Sequence, residues 1–510
     1  MPHDDLVASV QDVLDVDPET FQDRVRADAD VIIEEIEAGT FDNPQAIVGL
    51  EYEFYAVRDD CTLARVPRRL LEFVGFEKEL GLHNAEMTTS PQPLNEHGLA
   101  AQEAEVKARL SAAMEPMDAE GLHFASDGMW TIPPEGESAS SYLTDFVEKD
   151  GVDLATNMSS SARYHAMGNT DQPAGMRIDA PHVTLNAQTV MPEALITSIQ
   201  PHYQVPHAVD LPTYFRYAIR VAAPLLALGV NSPFFPPDLY DADASAEEIL
   251  RDGWDEGRID VFETSLNVPG KQDKVRFPDD LETVTDAVEH VVEDDVIVPM
   301  EVESKGRFDD EFAHFRMKHG TYWRWVRPVF GGSSRESANA RIEFRPIAAQ
   351  PTVRDCIAFQ AAFAGLLEQC IRTDHPVYSL DWDTAHENFY AAAQLGLDAD
   401  MAWVTADREV THEHESIYTD ILDAATKGLQ RRGLSEEQAA KYVWPLRQRA
   451  RHHVTPADWK RDRVREHLDE GSDLENAIYE MQYEYLENQR ATLLEGSFAD
   501  WLGRGQKLEN

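Results

Sequence analysis

The 510-residue chain predicts an α+β fold with a mainly antiparallel sheet, on three observations. Four short runs carry the period-2 alternation of strands: "AIVGLEYEFYAV" at 46–57, "LHFASDGMWTI" at 122–132, "PHVTLNAQTV" at 181–190 and "ARIEFRPI" at 340–347. Helical stretches such as 100–119 and 213–228 separate them without the regular strand–helix alternation of a parallel sheet. Beyond Pro351 the apolar spacing is helical to the end of the chain.

Taken in order, residues 1–44 read as a helical preface, with "DLVASVQDVLDV" and "DRVRADADVIIEEIEA" ending at Gly39. Residues 45–370 hold the alternating strands and form the expected catalytic domain. The segment 371–510 is expected to be a helical region. Its amphipathic helices would pack on the core or between two copies of the chain, a homodimer.

Composition narrows the possibilities. Lys+Arg number 45 (11 Lys, 34 Arg) against 93 Asp+Glu, a net charge of −48. Such an acidic, lysine-poor surface suits concentrated salt, where the Debye length falls to ~3 Å and self-repulsion collapses. The same charge repels a phosphate backbone, so no nucleic-acid partner is expected. Cys61, Cys356 and Cys370 have no CxxC spacing, which leaves no disulfide framework or zinc site. Cys356, in an apolar helical run, reads as core, so cysteine-dependent phosphotransfer to a guanidino group has no evident nucleophile. No apolar run approaches ~18 residues and the first thirty residues are acidic, so a soluble, cytoplasmic protein without a membrane partner is expected.

The candidate chemistry lies on the strand faces. Glu51 and Glu53 stand at i and i+2 in "GLEYEF", so a strand points both to one side. Two like charges there read either as a solvated face or as a pair stabilised by a divalent cation. "EKELGLHNAEMTTSP" adds Glu79, which alone reads as an exposed helix residue, and Glu86 before a turn. His182, Thr184, Asn186 and Gln188 alternate in "APHVTLNAQT"; His182 is either a satisfied structural residue or the head of a polar row. Arg341, Glu343 and Arg345 alternate in "ARIEFRPI", as a self-satisfied salt-bridge ladder or as a metal carboxylate between two phosphate-directed guanidiniums. No Walker loop or GxGxxG occurs; "FGGSSRES" at 330–337 reads as a turn or a flexible phosphate loop. Together these faces suit two or three Mg²⁺ ions with ATP phosphates, since magnesium takes hard oxygen ligands shared with phosphate.

"GLEYEF", the step from Glu79 to Glu86 before "TTSP", "LLALGVNSPFF" at 225–235, "RIEFRP" and "HENFYAAAQLGLDAD" resemble the glutamate–cysteine ligase family. The branch is its second, bacterial/plant/archaeal type, within the glutamine-synthetase-like carboxylate–amine ligases. The resemblance spans about residues 45–400 and implies a curved antiparallel sheet flanked by helices. It implies an ATP-dependent ligase joining the γ-carboxylate of glutamate to the amino group of cysteine through a γ-glutamyl phosphate. Another amine acceptor, or a ligase-derived binding protein without turnover, are the alternatives. The resemblance implies one Mg²⁺ on Glu53, Glu79 and Glu86, and another on Glu51, His182 and Glu343. It makes Arg345 the residue on the transferred phosphoryl group, with Glu343 beside it. Arg341 and Asn186 join Arg345 toward the nucleotide. Arg258 in "WDEGRIDVFE" resembles the grip on the glutamate α-carboxylate, and Arg163 and Tyr164 in "SSARYHAMG" line the substrate pocket with Glu86. Two positions depart from the family pattern: Gly257 where Ser commonly precedes the arginine, and Thr184 after His182.

Overall fold

The computed structural model describes residues 3–170 and 176–502. Its centre is an eight-stranded antiparallel sheet that curls into a half-barrel. In chain order its strands are β1 (Ile47–Arg58), β2 (Glu77–Lys78), β3 (Asn84–Thr88), β4 (Gln92–Pro93), β5 (Leu122–Ala125), β6 (Ile199–Val205), β7 (Val326–Gly331) and β8 (Asn339–Phe344). They lie in the order β7–β8–β6–β1–β3–β2, with β4 and β5 also paired to β1.

The twelve-residue β1 is the spine because its β-branched and aromatic residues alternate with polar ones over most of its length. Val48, Leu50, Tyr52 and Phe54 turn to the core, while Gly49, Glu51 and Glu53 take the opposite face. The core face rests on the helix Val353–Thr373, started by the Thr352 hydroxyl accepting from the Asp355 amide. Phe344 of β8 stacks on Phe363 of that helix with ring centroids 4.3 Å apart. On its far side the helix meets His414–Arg431 so closely that a Cβ on Gly428 would lie 1.8 Å from the Gly365 carbonyl oxygen. Only glycine allows the two backbones to touch there.

Several expectations change in the structure. The strand expected at 181–190 ends at Asn186 and belongs to a small separate hairpin, 177–180 with 183–186. The helix expected over 213–228 is two, Leu211–Arg220 and Ala222–Gly229. Pro224, which clashes with a carbonyl one turn back, explains the break. The central strand β6, "IQPHYQV", was not anticipated, because Pro201 reads as a strand breaker.

The boundary expected at 370 falls inside the helix Val353–Thr373. The C-terminal helices share the core with the sheet: Tyr55 and Val57 of β1 and Trp130 pack with Trp459, Met481, Tyr485 and Trp501. Buried ion pairs join the same parts, Lys460 to Asp127 and Arg449 to Asp355 at 3.0 Å. The preface forms the helices His3–Leu14 and Pro18–Glu37, which pack on Ala162–Gly168, Asp286–Glu293 and Ala313–His319. Among the described residues no helix is long and apolar enough to cross a membrane. All three cysteines are buried, and burial pushes the Cys61 and Cys356 thiols up to about 12.

Candidate active site

Residues directly opposite in an antiparallel ladder share a face, so the register builds the site. One row crosses four strands: Gly49 faces His202, His202 faces Glu343, and Glu343 faces Arg327. A second row sets Glu51 between Gln200 and Thr88, and a third sets Glu53 against Glu86. Two cavities open on this face. One, of about 510 Å³, is lined by Glu51, His202, Gln204, Arg327, Arg341 and Glu343, with Gly331 and Gly332 at the start of the expected Gly/Ser loop. The other, of about 310 Å³, is lined by Glu51, Glu53, Glu79, Asn84, Glu86, Arg163, Tyr164, Glu193, Arg327 and Arg345. Glu51, Gly320 and Arg327 belong to both and form the partition.

Glu343 is the anchor of the basic side. Arg327 donates to it through Nε at 2.9 Å, and Arg345 pairs with it from two residues along. Burial pushes this carboxyl up, but Arg327, Arg345 and His202 outweigh it and hold the group well below the ordinary carboxylate range. Arg345 also donates to Gln200 Oε1 at 2.7 Å, while its Nε is buried without a partner. Among the described residues Arg341 has no carboxylate within ion-pair distance; its Nε donates to His202 Nδ1 at 3.4 Å. The His202 Nε2 lies 3.2 Å from Glu51 Oε1, close enough for an ion pair but out of line for a hydrogen bond.

The other cavity is acidic. Burial and the charges of Glu51, Glu79 and Glu53 push Glu86 well up, and its one hydrogen bond comes from the Thr88 hydroxyl at 3.1 Å. Burial and Glu53 push Glu79 up to about 7. Glu193 rises to about 8 through burial, Glu79 and Glu53. Glu53 is also raised by burial, although the Ser198 amide donates to it at 2.6 Å and Arg345 and Arg258 pull it back. Crowded carboxylates with so few donors are stable when protonated or when a hard cation lies among them. Among the described residues no three metal-binding side chains are gathered as a ready cage. The donor set nonetheless fits magnesium: all but His202 are carboxylate oxygens, and Glu86 has lone pairs to spare.

The structure brings together Glu51, Glu53, Glu79, Glu86, Glu343, Arg341, Arg345, Arg163 and Tyr164. Three expected residues stand elsewhere. His182 sits in the turn of the outer hairpin at φ 62°, paired with Asp252 at 2.8 Å, and lines neither cavity. Asn186 is an exposed residue of that hairpin. Arg258 is buried behind the face, its Nε on Glu256 at 3.0 Å and its Nη2 on the carbonyls of Arg345 and Pro346. With Nε and Nη2 committed to protein groups, it supports the end of β8 and lines neither of these two cavities. The histidine that does stand on this face, beside Glu51 and opposite Glu343, is His202. The Gln200-x-His202-x-Gln204 alternation carried that signal, interrupted by Pro201. Arg327 lies in the apolar run "WRWVRPVF", and Glu193 is a lone acid in an apolar turn without a pattern to mark it.

The family model described as Glutamate-cysteine ligase family 2 (GCS2) matches residues 47–488. No curated protein sequence matches. Among solved structures the chain is similar to the glutamate–cysteine ligase GshA of Francisella tularensis in complex with AMP, at 13% identity and TM-score 0.50, covering 91% of this chain and 92% of that one. It is also similar to a bifunctional glutathione synthetase from Pasteurella multocida, at 13% identity and TM-score 0.46, covering 90% of this chain and 54% of that one. The ligase PafA in complex with the prokaryotic ubiquitin-like protein Pup aligns at 10% identity and TM-score 0.37, over 87% of this chain and 72% of that one. The likeness to the first of these is one of fold, the glutamine-synthetase-like ligase fold.

Proposed function

The chain belongs to glutamate–cysteine ligase family 2 and is an ATP-dependent carboxylate–amine ligase; we propose that it joins the γ-carboxylate of L-glutamate to the amino group of L-cysteine. The product is γ-glutamylcysteine, formed through a γ-glutamyl phosphate. The observation that carries this reading is the register: Glu53 opposite Glu86, and His202 opposite Glu343, on one face beside Arg345.

Phosphoryl transfer asks a protein mainly for positioning and charge neutralisation. Glu53, Glu79 and Glu86 would hold magnesium near the reacting carboxylate; Glu51, His202 and Glu343 would hold it near the nucleotide. Two or three ions bound there supply charge neutralisation of the phosphates. Arg345, steered by Glu343 and Gln200, donates to the phosphoryl group as it moves from ATP to the γ-carboxylate oxygen. Arg341, free of any carboxylate, faces the larger cavity as a phosphate partner. Arg163 and Tyr164 line the substrate side. The amine nitrogen then attacks the carbonyl carbon, and phosphate leaves with the bonding electron pair. The acidic, lysine-poor surface supports a protein working in a salt-rich cytoplasm.

The test is ADP release by the purified protein with ATP, Mg²⁺ and glutamate, with and without cysteine, followed by mass spectrometry. ADP release that depends on both amino acids, with the mass of γ-glutamylcysteine, is expected. Release with a different amine alone moves the acceptor, and the absence of any amide product overturns the proposal.

A further inference from the structure

The helical preface lies outside the stretch 47–488 that the family model matches, yet it is bonded to one wall of the 510 Å³ cavity. That wall is the short helix Ala313–His319, which brings Phe315, Arg316 and His319 to the cavity. Phe312, the residue before it, has no side-chain oxygen to accept from the free amides of the first turn. Asp28, in the preface helix Pro18–Glu37, supplies that oxygen from a distant part of the chain. Its Oδ2 accepts from the backbone amides of His314 at 2.7 Å and Phe315 at 3.1 Å. These are the second and third amides of the helix, the ones an N-cap side chain ordinarily satisfies. Two further preface residues reach the same wall. Gln22 Oε1 accepts from Lys318 Nζ at 2.8 Å, and Glu35 pairs with Arg335, just beyond Gly331 and Gly332. The far end of the helix carries the placement into the site: the His319 carbonyl accepts from Arg327 Nη1 at 3.2 Å, and Arg327 holds Glu343.

A helix this short has too few internal hydrogen bonds to hold itself, so its first turn depends on what caps it. We infer that Asp28 is a positioning residue for the nucleotide, capping from the preface the helix that carries Phe315, Arg316 and His319 to the cavity wall. This inference rests on the proposed ligase reading, with the 510 Å³ cavity as the nucleotide's. Without the cap the first turn frays, and a nucleotide must restore it on binding. Affinity then falls by the worth of one cap, roughly fivefold. None of Phe315, Arg316 and His319 lines the 310 Å³ cavity, so glutamate is not expected to follow.

The test is isothermal titration of the full-length protein with Mg-ADP, beside steady-state kinetics with ATP, in fixed KCl. Asp28→Ala is expected to bind Mg-ADP about fivefold more weakly than wild type and to raise KM for ATP by the same factor, with KM for glutamate within about twofold. Asp28→Asn, whose amide oxygen can accept from the same two amides, should recover most of the loss. Asp17→Ala is the control for stability alone. It removes the cap of the preface helix itself, where Asp17 accepts from the Thr20 amide at 2.8 Å and lines neither cavity. It should lower Tm about as much and leave Mg-ADP affinity within about twofold. Unchanged Mg-ADP affinity in Asp28→Ala, an equal weakening in Asp17→Ala, or no recovery in Asp28→Asn overturns the inference. Arg341→Gln, which alters the cavity directly, separates this inference from the reading it rests on. If Arg341→Gln weakens Mg-ADP and Asp28→Ala does not, only the role of Asp28 falls. If Arg341→Gln binds as wild type does, the cavity is not the nucleotide's and both fall.

Discussion

Glu53 and Glu86 are placed against each other at one register position, and this makes a stability prediction opposite in sign to the usual site mutation. Two ionised carboxylates about 6 Å apart repel by about 3 kcal/mol at an effective dielectric of 20. Glu51 and Glu79 add to the field at Glu86, whose carboxyl is pushed well above its ordinary 4.5. A carboxyl whose pKa is higher in the folded than in the unfolded protein favours the fold at low pH. That contribution is lost as pH rises toward the folded value. Glu86→Gln removes the charge and keeps an oxygen to accept from Thr88. In EDTA and fixed KCl at pH 8 we expect the variant to be about 2–3 kcal/mol more stable than wild type. Spread over 510 residues at about 2.1 cal/mol/K each, this is a rise of roughly 2–3 °C in Tm. At pH 4.5, the ordinary carboxylate value, where the unfolded chain takes up the proton as well, the gain should nearly vanish. Mg²⁺ should stabilise the wild type and leave the variant almost unmoved, and turnover should fall ~10²-fold or more. Scanning calorimetry at the two pH values decides the matter. A variant no more stable at pH 8, or equally stabilised at both pH values, would refute the crowding argument.

Three further outcomes follow from the placement of single residues. His202→Ala should lower kcat ~10²-fold or more, while His182→Ala, on the outer hairpin, should stay within twofold of wild type; steady-state kinetics of the two variants compare them directly. Arg258→Met strands the buried Glu256 and should cost about 3–5 kcal/mol of stability while lowering kcat; a rise in KM for glutamate with unchanged Tm would instead mark a substrate grip. Removing divalent cations with EDTA should abolish ADP release, and excess Mg²⁺ should restore it; turnover that continues in EDTA would exclude the proposed metal role.

The parts of the site legible beforehand were those written as alternation on one strand. Glu51 and Glu53 on β1, and Arg341, Glu343 and Arg345 in and just beyond β8, each share a face because side chains repeat every second residue. Alternation says nothing about which sheet a strand joins. The polar rows led by His182 and containing His202 look alike, yet one lies on an exposed hairpin and the other on the central strand. Pro201 masks the strand character of the second row. Arg258 was illegible for another reason: a charged residue two positions from Glu256 gives no hint that the two are buried as a pair. Glu193 came into the cavity through tertiary folding of an apolar turn, which periodicity does not record.

The shared packing of Trp459, Tyr485 and Trp501 with Tyr55 and Trp130 bears on how the polypeptide matures. The Tyr485 hydroxyl donates to the Ser126 carbonyl, and Gln489 donates to that same oxygen, so the tail end closes over the far end of β1. Until that tail has left the ribosome, the catalytic sheet has an open flank of aromatic surface. Assembly of the half-barrel is therefore completed by residues made about 400 positions after β1, and a chain that stops short of Trp459 leaves a nascent enzyme for chaperones and proteases to sort.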